Sequence, residues 1–596
     1  MRKLDNGSLF RAILVFRIAN ALLTRTFFQA DEFWQALEPA HLMAFGYGEL
    51  TWDWKFAIRS YAFPFIFELT YRLVRLVVFM SRWLMELLSE LASELLLLLF
   101  PSNEFVRLVV DDLVVLPSDM ANSLEYIGVI YGPKVVMTLI AATGEYYTIK
   151  LIQKLYLITS KSSKENDDEG GKGGSLQGIT KIATVLSLTN FFNCYLITRS
   201  FINSFEMTTT AVALYFWDWT GGLTIESSEF TKSLVIAMFT CLQRPTNAFI
   251  WIVLGSLLIT NMIKRGTDFK AYFILLRKIV LCFMAVFLLN VSIDFYFYGE
   301  ITIPLINFIK FNVTSPLANF YGSSPWHFHL FQSVPIILGY NLLFFVPGMF
   351  CHLSHKKFTS FATNPFFQIK MIILLNVLVF SLTTHKEFRF IYPLQPFFMT
   401  VSVFALHKLK WYQYSRMTWI LPLASVVLSL LVSSFQESGS IEVMKFLHNE
   451  PFDLKSVGFI MPCHSTPWQS YLHRQDIPDL WAITCEPPLH LLGDADATSK
   501  LQSYMDESDH LYANPARFLY ENFPPVFKKE LRSPGKVYTH EWPEYLIIFE
   551  QLDDLIMREY LKDSSYVEYT RFFNSWSHWD SRRAGDIVVY YKRPSL

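Results

Sequence analysis

Long apolar runs recur along most of this chain, and they constrain its fold more than any other feature. A membrane-spanning helix needs roughly 20 predominantly apolar residues. About eleven runs reach or approach that length, and they cover residues 12–28, 126–150, 180–198, 208–224, 231–243, 246–261, 271–291, 328–350, 367–383, 390–406 and 417–434. Only 17% of the residues are charged, against about 25% in soluble proteins. The sequence predicts a mainly α-helical, polytopic membrane bundle.

The distribution of Lys and Arg orients this bundle. Basic residues are concentrated at the amino terminus and in segments 150–181, 264–278, 356–357 and 408–416. Cytosolic loops of membrane proteins are enriched in Lys and Arg. Alternation through eleven spans then places the other connections in the lumen, namely 29–125, 199–207, 244–245, 292–327, 384–389 and the chain after 435. The large first luminal loop, 29–125, contains a segment (61–125) whose interspersed charges favour amphipathic surface helices over spans.

The composition changes near Ser434, where prolines, charges and tryptophans replace the apolar runs. We therefore divide the chain into a multi-span catalytic domain (1–436) and a luminal C-terminal domain (437–596) of mixed α/β structure. Its closing GDIVVYYKR (585–593) predicts a strand. Cys463 and Cys485 can form a disulfide if this part is luminal, and the sequence leaves that pairing open. The formal net charge of −1 gives no electrostatic basis for binding nucleic acid.

The first candidate site follows the first span directly, where Asp31 and Glu32 stand side by side. A carboxylate can take the proton of an attacking sugar hydroxyl. Aromatic rings in the same segment can stack on a sugar. The neighbouring candidates, several of which share a helical face, are Trp34, Gln35, Glu38, His41 and Trp52. The alternative is an interfacial helix with solvated acids and an aromatic belt.

Two further clusters lie at predicted luminal ends of spans. TRSFINSFE (198–206) contributes Arg199, Asn203 and Glu206, and its alternative interpretation is a set of side chains that snorkel to the interface. QRPTN (243–247) places Arg244 in a tight hairpin between two apolar runs. An arginine there is costly unless it is paired or faces a water-filled cavity. Arg244 therefore either pairs with a carboxylate or binds a phosphate.

The HKEFR turn (385–389) is rich in cations, because it carries His385, Lys386 and Arg389. Such a rim suits a phosphate leaving group, although a solvated turn has the same composition. YGSSPWHFH (321–329) adds Trp326 and His327 on the same predicted side. Two histidines so close in sequence are weak evidence for zinc, and no metal or other cofactor is predicted.

These residues favour an enzyme over a transporter. Transporters place ionisable residues and broken helices near the middle of the membrane. Here the charged residues collect at one rim of the bundle, and a large polar domain follows on that side. The pattern indicates an enzyme that acts on a lipid-linked substrate, and a lipid or solute transporter remains the alternative from another class.

The same segments resemble a known family. FQADEFWQALEPAHLMAFGYGELTWDWKFAIRS (28–60), TRSFINSFE, QRPTN, FYGSSPWHFH and HKEFRFIYPLQPF are similar to motifs of the dolichol-phosphate-mannose-dependent α-mannosyltransferases. MPCHSTPWQSYLH (461–473) and ADATSKLQSYMDESDHLYANPARFL (495–519) look most like the branch that acts in glycosylphosphatidylinositol (GPI) anchor synthesis. Residues 81–125 and 160–174 match poorly. The resemblance implies a GT-C type glycosyltransferase in the endoplasmic reticulum membrane, with a luminal active site.

The resemblance also implies a reaction. The donor would be dolichol phosphate mannose, and the acceptor a GPI precursor in the same membrane that carries two mannoses. The product would carry an α1,2-linked third mannose, formed with inversion. Asp31 would be the base, assisted by Glu32. Arg244, His385, Lys386 and Arg389 would bind the donor phosphate. The substrate-binding candidates are Trp34, Gln35, Glu38, His41, Trp52, Arg199, Asn203, Glu206, Trp326, His327 and His464. The alternative within the family is a mannosyltransferase of the dolichol-linked N-glycan precursor.

Overall fold

The computed structural model describes residues 6–101, 104–160, 169–313, 317, 320, 322–351, 363–409, 417–450, 454–494, 496–526 and 535–593. Several of the predicted cytosolic positions lie outside these ranges, namely 161–168, 356–357 and 410–416. Within the described residues, helices dominate the first three quarters of the chain, and all of the strands lie in the last quarter.

Seventeen α-helices precede the polar C-terminal part of the described chain. They are α1 (Asn6–Leu23), α2 (Glu38–Phe45), α3 (Trp52–Lys55), α4 (Ala62–Leu99), α5 (Glu104–Ser160), α6 (Glu169–Leu188), α7 (Phe191–Leu196), α8 (Ile202–Phe216), α9 (Ser228–Gln243), α10 (Ala248–Lys264), α11 (Phe269–Tyr298), α12 (Pro304–Val313), α13 (Val334–Leu338), α14 (Leu342–Phe350), α15 (Pro365–Leu382), α16 (Gln395–Leu409) and α17 (Met417–Phe435). Two π-helical turns, Phe33–Leu37 and His329–Ser333, and a 3-10 segment, Phe388–Leu394, lead directly into α2, α13 and α16.

Seven helical segments of the described chain are long and apolar enough to cross a bilayer, or eight if one bent pair counts as a span. They are Asn6–Leu23, Leu113–Thr159, Pro245–Lys264, Phe269–Tyr298, His329–Phe350, Pro365–Leu382 and Phe388–Leu409, with Ile420–Phe435 and Gly439–Asn449 as the bent pair. The prediction of a multi-pass helical protein is confirmed. The number falls below eleven partly because α8 and α9 have only 15 and 16 residues. In addition, the predicted span 180–198 is divided between α6 and α7.

Residues 61–125 form most of a long antiparallel helix pair, α4 and the first part of α5. The two helices approach closely where Gly128 lies against Val74, because a Cβ on Gly128 would lie 2.3 Å from a Val74 methyl carbon. Large apolar side chains of α4, such as Leu73, Leu84 and Leu91, have at least half of their surface exposed. The pair therefore has an apolar outer face, as expected for amphipathic helices. Its position relative to the bilayer stays a prediction.

A buried ion pair joins α1 to α5 inside the bundle. Arg17 Nε donates to Glu145 Oε2 over 2.7 Å, and both side chains are almost fully buried. Asn20 accepts from the same guanidinium, and Ser187 of α6 donates to Glu145. Removing one partner of such a pair leaves an uncompensated buried charge. The pair therefore ties three helices together in a region where the sequence showed only apolar runs.

The C-terminal part contains one five-stranded mixed sheet, in the order β2-β1-β3-β5-β4. The strands are β1 (Ser456–Ile460), β2 (Asp479–Ala482), β3 (Tyr545–Phe549), β4 (Tyr566–Ser575) and β5 (Gly585–Lys592). Strand β1 pairs in parallel with β2 and β3, and β5 pairs antiparallel with β3 and β4. The remaining helices are α18 (Gly439–Asn449), α19 (Gln469–Leu472), α20 (Ala497–Ser503), α21 (Glu507–Ala513), α22 (Pro515–Asn522), α23 (Glu550–Leu552) and α24 (Arg558–Tyr560). The predicted mixed α/β structure is confirmed, and β5 coincides with the predicted final strand.

The two faces of this sheet have different partners, because successive side chains of a strand point to opposite faces. Phe459 and Ile547 belong to a core that includes Phe33 of the first loop. Leu546 and Ile548 pack against helices of the C-terminal part itself. One face of the sheet is thus built onto the first loop. This packing fixes the C-terminal part against the segment that carries Asp31 and Glu32.

Candidate active site

The segment between α1 and α2 positions the two predicted acids. After α1 ends, the chain is held against the last predicted span by backbone bonds from Arg25 N to Ser433 O and from Phe27 N to Glu437 O, each 2.9 Å long. The helical turn then begins at Asp31 and Glu32. Consecutive residues in a helix point in directions about 100° apart. The two carboxylates therefore enter different surroundings.

Asp31 points toward the HKEFR turn. Its Oδ2 lies 2.6 Å from the Arg389 guanidinium, and about a quarter of the Asp31 side chain is exposed. Arg389 also donates to Glu387 through Nε (2.8 Å) and Nη2 (2.9 Å). The guanidinium lies over the Phe201 ring. One arginine therefore orients two carboxylates at the start of the 3-10 segment.

The sequence analysis missed Glu387, the acid inside the HKEFR turn. It accepts hydrogen bonds from Arg389 and, over 3.2 Å, from Gln29 Nε2. His385 Nε2 lies 3.3 Å from its other oxygen. Burial opposes ionisation, but the adjacent Arg389 and His385 outweigh it and hold the pKa of Glu387 well below its usual range. The sequence carried a signal for Glu387, because an acid that stands between cations in a short turn indicates that those cations are paired.

Glu32 points inward, and only 10% of its side chain is exposed. Its Oε2 accepts from Arg199 Nη1 over 3.0 Å. Arg199 is fully buried and also donates to the backbone and hydroxyl oxygens of Thr26, each over 2.6 Å. Burial raises the pKa of Glu32, although Arg199 opposes that shift. The Glu32–Arg199 pair therefore holds the turn in place, and Asp31 is the acid that remains reachable.

Another ion pair, 3.6 Å long, joins Arg244, whose side chain is 17% exposed, to the buried Glu206. Glu206 also accepts from Asn247 Nδ2 over 3.0 Å. The Arg244 guanidinium lies over the Phe390 ring, one residue after Arg389. Asn203, one helical turn before Glu206, is fully buried. The TRSFINSFE and QRPTN segments thus meet beside the HKEFR turn, as expected of residues that share a site.

A small cavity of about 40 Å³, which we call the polar cavity, lies beside these groups. Its polar lining includes Gln35, Arg59, Gln243 and Arg244. Arg59 is ion-paired with Asp53 and keeps 28% of its side chain exposed. The sequence analysis did not select Arg59, although it stands within the first-loop motif. The cavity therefore presents two guanidinium groups, from the first loop and from the QRPTN hairpin.

An apolar groove of about 360 Å³ adjoins this cavity. Its walls come from α9, α10 and α11, and include Trp217, Trp251 and Phe283. Leu242, Pro245 and Leu305 line both the groove and the cavity, so the two spaces meet. A cationic cavity that opens into an apolar groove between membrane helices is suited to an amphiphile with an anionic head.

Other predicted phosphate ligands are engaged elsewhere. Lys386 is buried, and its Nζ donates to the carbonyl oxygens of Ser324 (2.8 Å) and Thr383. His385 Nδ1 faces the Gly322 carbonyl oxygen at 3.3 Å. Both residues therefore join the 322–324 segment to the HKEFR turn, so that the cationic rim predicted from sequence is largely a structural contact.

Three of the predicted substrate-binding residues lie apart from the cavity. Trp326 is 68% exposed, and His327 beside it is partly buried. Trp52 packs against Phe311, with ring centroids 4.9 Å apart. The structure brings none of the three into contact with Asp31 or Arg244 through a hydrogen bond or an ion pair in the part of the chain that it describes.

Glu38 joins the first loop to the C-terminal part. Its carboxylate accepts from the backbone N–H groups of Trp468 (2.8 Å) and Ser470 (3.1 Å) and from the Ser470 hydroxyl (2.5 Å). Burial raises the pKa of Glu38 to about 7, although these donors oppose the shift. His41, also buried, has its Nε2 2.9 Å from His473 Nδ1. Both predicted sugar contacts are thus occupied by protein partners.

Trp34 and His464 make the same connection. Trp34 Nε1 donates to the Thr466 carbonyl oxygen over 3.1 Å, and its ring meets His464 edge-on at 4.6 Å. Burial lowers the pKa of His464 to about 4. Cys463 and Cys485 form a disulfide with a Cα–Cα distance of 5.7 Å. Both sulfurs lie near a His464 nitrogen. Because the two cysteines are joined in a disulfide, neither of them can offer a thiolate to a metal.

Comparisons with known proteins agree with this arrangement. The model of the Alg9-like mannosyltransferase family matches residues 8–473. The chain is 56% identical to GPI mannosyltransferase 3 of Saccharomyces cerevisiae, over 99% of this chain and 97% of that protein. It is 53% identical to GPI mannosyltransferase 3 of Kluyveromyces lactis, over 98% of each chain. These relatives carry the name of the branch that the C-terminal motifs indicated.

The fold also has a solved counterpart. ArnT from Cupriavidus metallidurans, a GT-C glycosyltransferase, superposes with a TM-score of 0.50 and 9% identity, over 98% of this chain and 97% of ArnT. At that identity the likeness concerns the fold alone, and it confirms the predicted GT-C class. The chain is a membrane-embedded mannosyltransferase and belongs to the Alg9-like mannosyltransferase family.

Proposed function

We propose that this enzyme transfers mannose from dolichol phosphate mannose to the GPI-anchor precursor, adding the third mannose in α1,2 linkage. The reaction would take place at the luminal face of the endoplasmic reticulum membrane. One observation carries the proposal: a reachable carboxylate, Asp31, lies beside a cationic cavity that opens into an apolar groove. Gln35, one helical turn after Asp31, lines that cavity.

The shape and charge of these two spaces support a polyprenyl phosphate donor. The groove between α9 and α11 suits an isoprenoid chain because its lining is almost wholly apolar. Arg59 and Arg244 would meet the phosphate where the groove joins the cavity, since guanidinium groups bind phosphate oxygens in two-pronged geometry. ArnT, which shares the fold, has been solved bound to undecaprenyl phosphate, a lipid of the same chemical class.

The relatives support the choice of acceptor. Three relatives named GPI mannosyltransferase 3 match this chain over nearly its whole length. The C-terminal segment around Trp468 and Ser470 is bonded to the first loop through Glu38. An acceptor glycan bound by the C-terminal part would therefore be presented next to the Asp31 segment.

The proposed chemistry is a single displacement. Asp31 accepts the proton of the acceptor hydroxyl as its oxygen forms a bond to C1 of the mannose. The bond from C1 to the phosphate oxygen breaks at the same time, and dolichyl phosphate leaves with the electron pair. Arg244 and Arg59 stabilise the charge on the departing phosphate. Attack opposite the leaving group converts a β-linked donor into an α-linked product.

Arg389 has a supporting role in this scheme. It is bonded to two carboxylates, Asp31 and Glu387, and only 7% of its side chain is exposed. It would hold Asp31 in one orientation toward the acceptor hydroxyl. Glu32, paired with Arg199, would fix the turn behind it. We therefore assign the base to Asp31 and a positioning role to Glu32.

The test uses the purified full-length enzyme in lipid nanodiscs with labelled dolichol phosphate mannose. One sample receives a two-mannose GPI precursor and another the dolichol-linked N-glycan precursor. We expect transfer only to the GPI precursor, and we expect an α1,2-specific mannosidase to remove the new sugar. Transfer to the N-glycan precursor instead would refute the acceptor, and transfer from GDP-mannose but not from the dolichol-linked donor would refute the donor.

A further inference from the structure

An exposed group of four large apolar side chains lies where the C-terminal sheet approaches the helical bundle, and the Trp576 ring contacts the rings of Phe435 and Phe573. We call this group the aromatic collar, and its members are Phe435, Phe573, Trp576 and Trp579. Their exposed fractions are 49%, 39%, 63% and 88%. Isolated exposed apolar residues are ordinary, but a contiguous patch indicates an interaction surface.

Hydrogen bonds fix the level of the collar along the bundle. Ser434 Oγ donates to the Leu23 carbonyl oxygen over 3.1 Å, and Arg25 N donates to the Ser433 carbonyl oxygen over 2.9 Å. Helices α1 and α17 therefore end side by side. Helix α1 is long and apolar enough to span a membrane, and the apolar α17, 19 residues long, forms the first part of the bent pair. We take the shared end of α1 and α17 as the level of one boundary of the bilayer core.

The connection between β4 and β5 is attached at this boundary. Gln436 Nε2 donates to the Ser577 carbonyl oxygen over 2.7 Å. The Trp576 ring lies 6.3 Å from the Phe435 ring at the end of α17. Trp579 projects from the same connection with almost its whole surface exposed. Trp576 is thus held at the level where the two helices end, and Trp579 follows three residues later in the same connection.

From the collar, the exposed apolar surface continues along the outer faces of α1 and α17. Leu22 of α1 and Leu428 and Leu431 of α17 are about half exposed. In a spanning helix such residues face lipid. Tryptophan is enriched at the membrane–water interface, because its ring is apolar and its N–H group prefers a polar partner. The collar therefore meets both requirements of an interfacial anchor, in chemistry and in level.

We propose that the aromatic collar is a membrane-interface anchor, with Trp576 and Trp579 inserted among the lipid headgroups on the side of the bundle that carries Asp31. The anchor acts on the C-terminal part from the outside, through the β4–β5 connection. It complements the contacts of Glu38 and Trp34, which hold the same part from the inside. The orientation of the sheet relative to the membrane surface is then fixed at two places.

The experiment places an environment-sensitive fluorophore on Trp579→Cys in the full-length enzyme, reconstituted in phosphatidylcholine nanodiscs. The matched control is Val537→Cys. Val537 is 94% exposed and belongs to the segment that leads into β3 at Tyr545. That strand end pairs with the end of β5, far from the β4–β5 connection. Cys241 and Cys351, which are partly buried, are changed to serine in both proteins, and the parent without an added cysteine gives the background.

We expect the fluorophore at position 579 to be quenched by lipids that carry a nitroxide near the headgroup. We also expect its quenching by aqueous iodide to be at least about threefold weaker than at position 537, because an interfacial site excludes a hydrated anion. Equal iodide quenching at both positions, without quenching by the nitroxide lipid, would overturn the proposal. That outcome would leave the collar facing water in the purified enzyme and available to a protein partner. Retained mannosyl transfer by the Trp579→Cys protein shows that it is folded.

Discussion

The Asp31 carboxylate lies 2.6 Å from the Arg389 guanidinium, and this contact joins the first loop to the turn that begins the 3-10 segment before α16. Arg389 simultaneously binds Glu387. A cation shared by two carboxylates is suited to holding a base in one orientation. It is less suited to meeting an incoming phosphate, because two carboxylates hold it and only 7% of its side chain is exposed. Arg59 and Arg244 are more exposed and line the cavity. This relationship separates the base from the phosphate site in the proposed mechanism.

Replacing each of the two acids, Asp31 and Glu32, with its amide should produce a different defect. Asp31→Asn keeps the size of the side chain but cannot accept a proton, so we expect kcat for transfer to fall by roughly 10²- to 10⁴-fold with little change in thermal stability. Glu32→Gln leaves the buried Arg199 without its charged partner, which costs about 3–5 kcal/mol in comparable pairs. Transfer assays and thermal unfolding of the two variants measure this difference. A stable Glu32→Gln protein that has lost all transfer would reverse the assignment of the base.

Removing a guanidinium from the polar cavity should weaken donor binding. For Arg59→Gln and Arg244→Gln we expect the KM for dolichol phosphate mannose to rise by roughly ten- to a hundredfold, the equivalent of losing one charged hydrogen bond. Binding of dolichyl phosphate alone, followed by native mass spectrometry, should weaken in parallel. Arg82→Gln is the matched control, because Arg82 is about half exposed and pairs with Glu86 on α4, away from the cavity. If all three variants behaved alike, the cavity would not be the phosphate site.

The pH dependence of stability should reveal Glu38. Burial raises its pKa from 4.5 to about 7 in the folded state, so the folded protein holds this proton more tightly than the unfolded chain. The associated stability is present below pH 4.5 and is lost as the pH rises toward 7. Glu38→Gln cannot titrate there. We therefore expect the stability of the native protein to decline relative to Glu38→Gln between pH 4.5 and 7, by on the order of 3 kcal/mol.

Thermal unfolding of both proteins at several pH values in nanodiscs measures this difference. His464 and other groups titrate in both proteins, so their contributions cancel in the comparison. A difference in stability that stays constant across this pH range would show that Glu38 is ionised throughout, stabilised by its donors from Trp468 and Ser470.

Opening the disulfide should loosen the C-terminal part. Cys463 and Cys485 are separated by 22 positions, and closing a loop of that size stabilises a protein by about 3 kcal/mol. We expect Cys463→Ser/Cys485→Ser to unfold at a lower temperature and to be cleaved faster by protease within 456–592. The Cys282→Ser variant is the comparison, since Cys282 is a free buried thiol. Equal protease resistance of the double variant and the native protein would contradict this expectation.

The sequence predicted those features of the site whose residues lie within one short segment of the chain. The acid pair, the HKEFR turn and the QRPTN hairpin were all selected from residue types and position, and the structure brings Asp31, Arg244 and Arg389 into one region. Long apolar runs predicted the spans, because a bilayer demands them. The final strand was also recognised, since a short β-rich run near a chain end has few alternatives.

The sequence could not show how charges pair across distant segments. Lys386 appeared available to a phosphate, but its ammonium group is held by two carbonyl oxygens. Glu38 and His41 appeared suited to sugars, but the C-terminal part supplies their partners from Trp468, Ser470 and His473. Such pairing depends on three-dimensional packing, and it cannot be predicted from residue type. For the same reason Arg59 was not selected.

The described chain contains seven or eight candidate spans, against about eleven predicted, for a related reason. Apolar residues in short helices such as α8 resemble a span in sequence, but 15 residues rise only about 22 Å. That length is less than the roughly 30 Å of a bilayer core. The buried polar residues Asn203 and Glu206 of α8 contribute to the candidate site instead.

The most direct test of the central claim follows GPI intermediates in cells that lack the third mannosyltransferase of GPI synthesis. The native chain and Asp31→Asn are expressed at equal levels, and the labelled glycolipids are separated by size. The account predicts that the native chain restores precursors with three or more mannoses, whereas Asp31→Asn cells retain the two-mannose intermediate. Failure of the native chain to restore the third mannose, despite normal expression in the endoplasmic reticulum, would contradict the proposed acceptor, and full rescue by Asp31→Asn would contradict the proposed base.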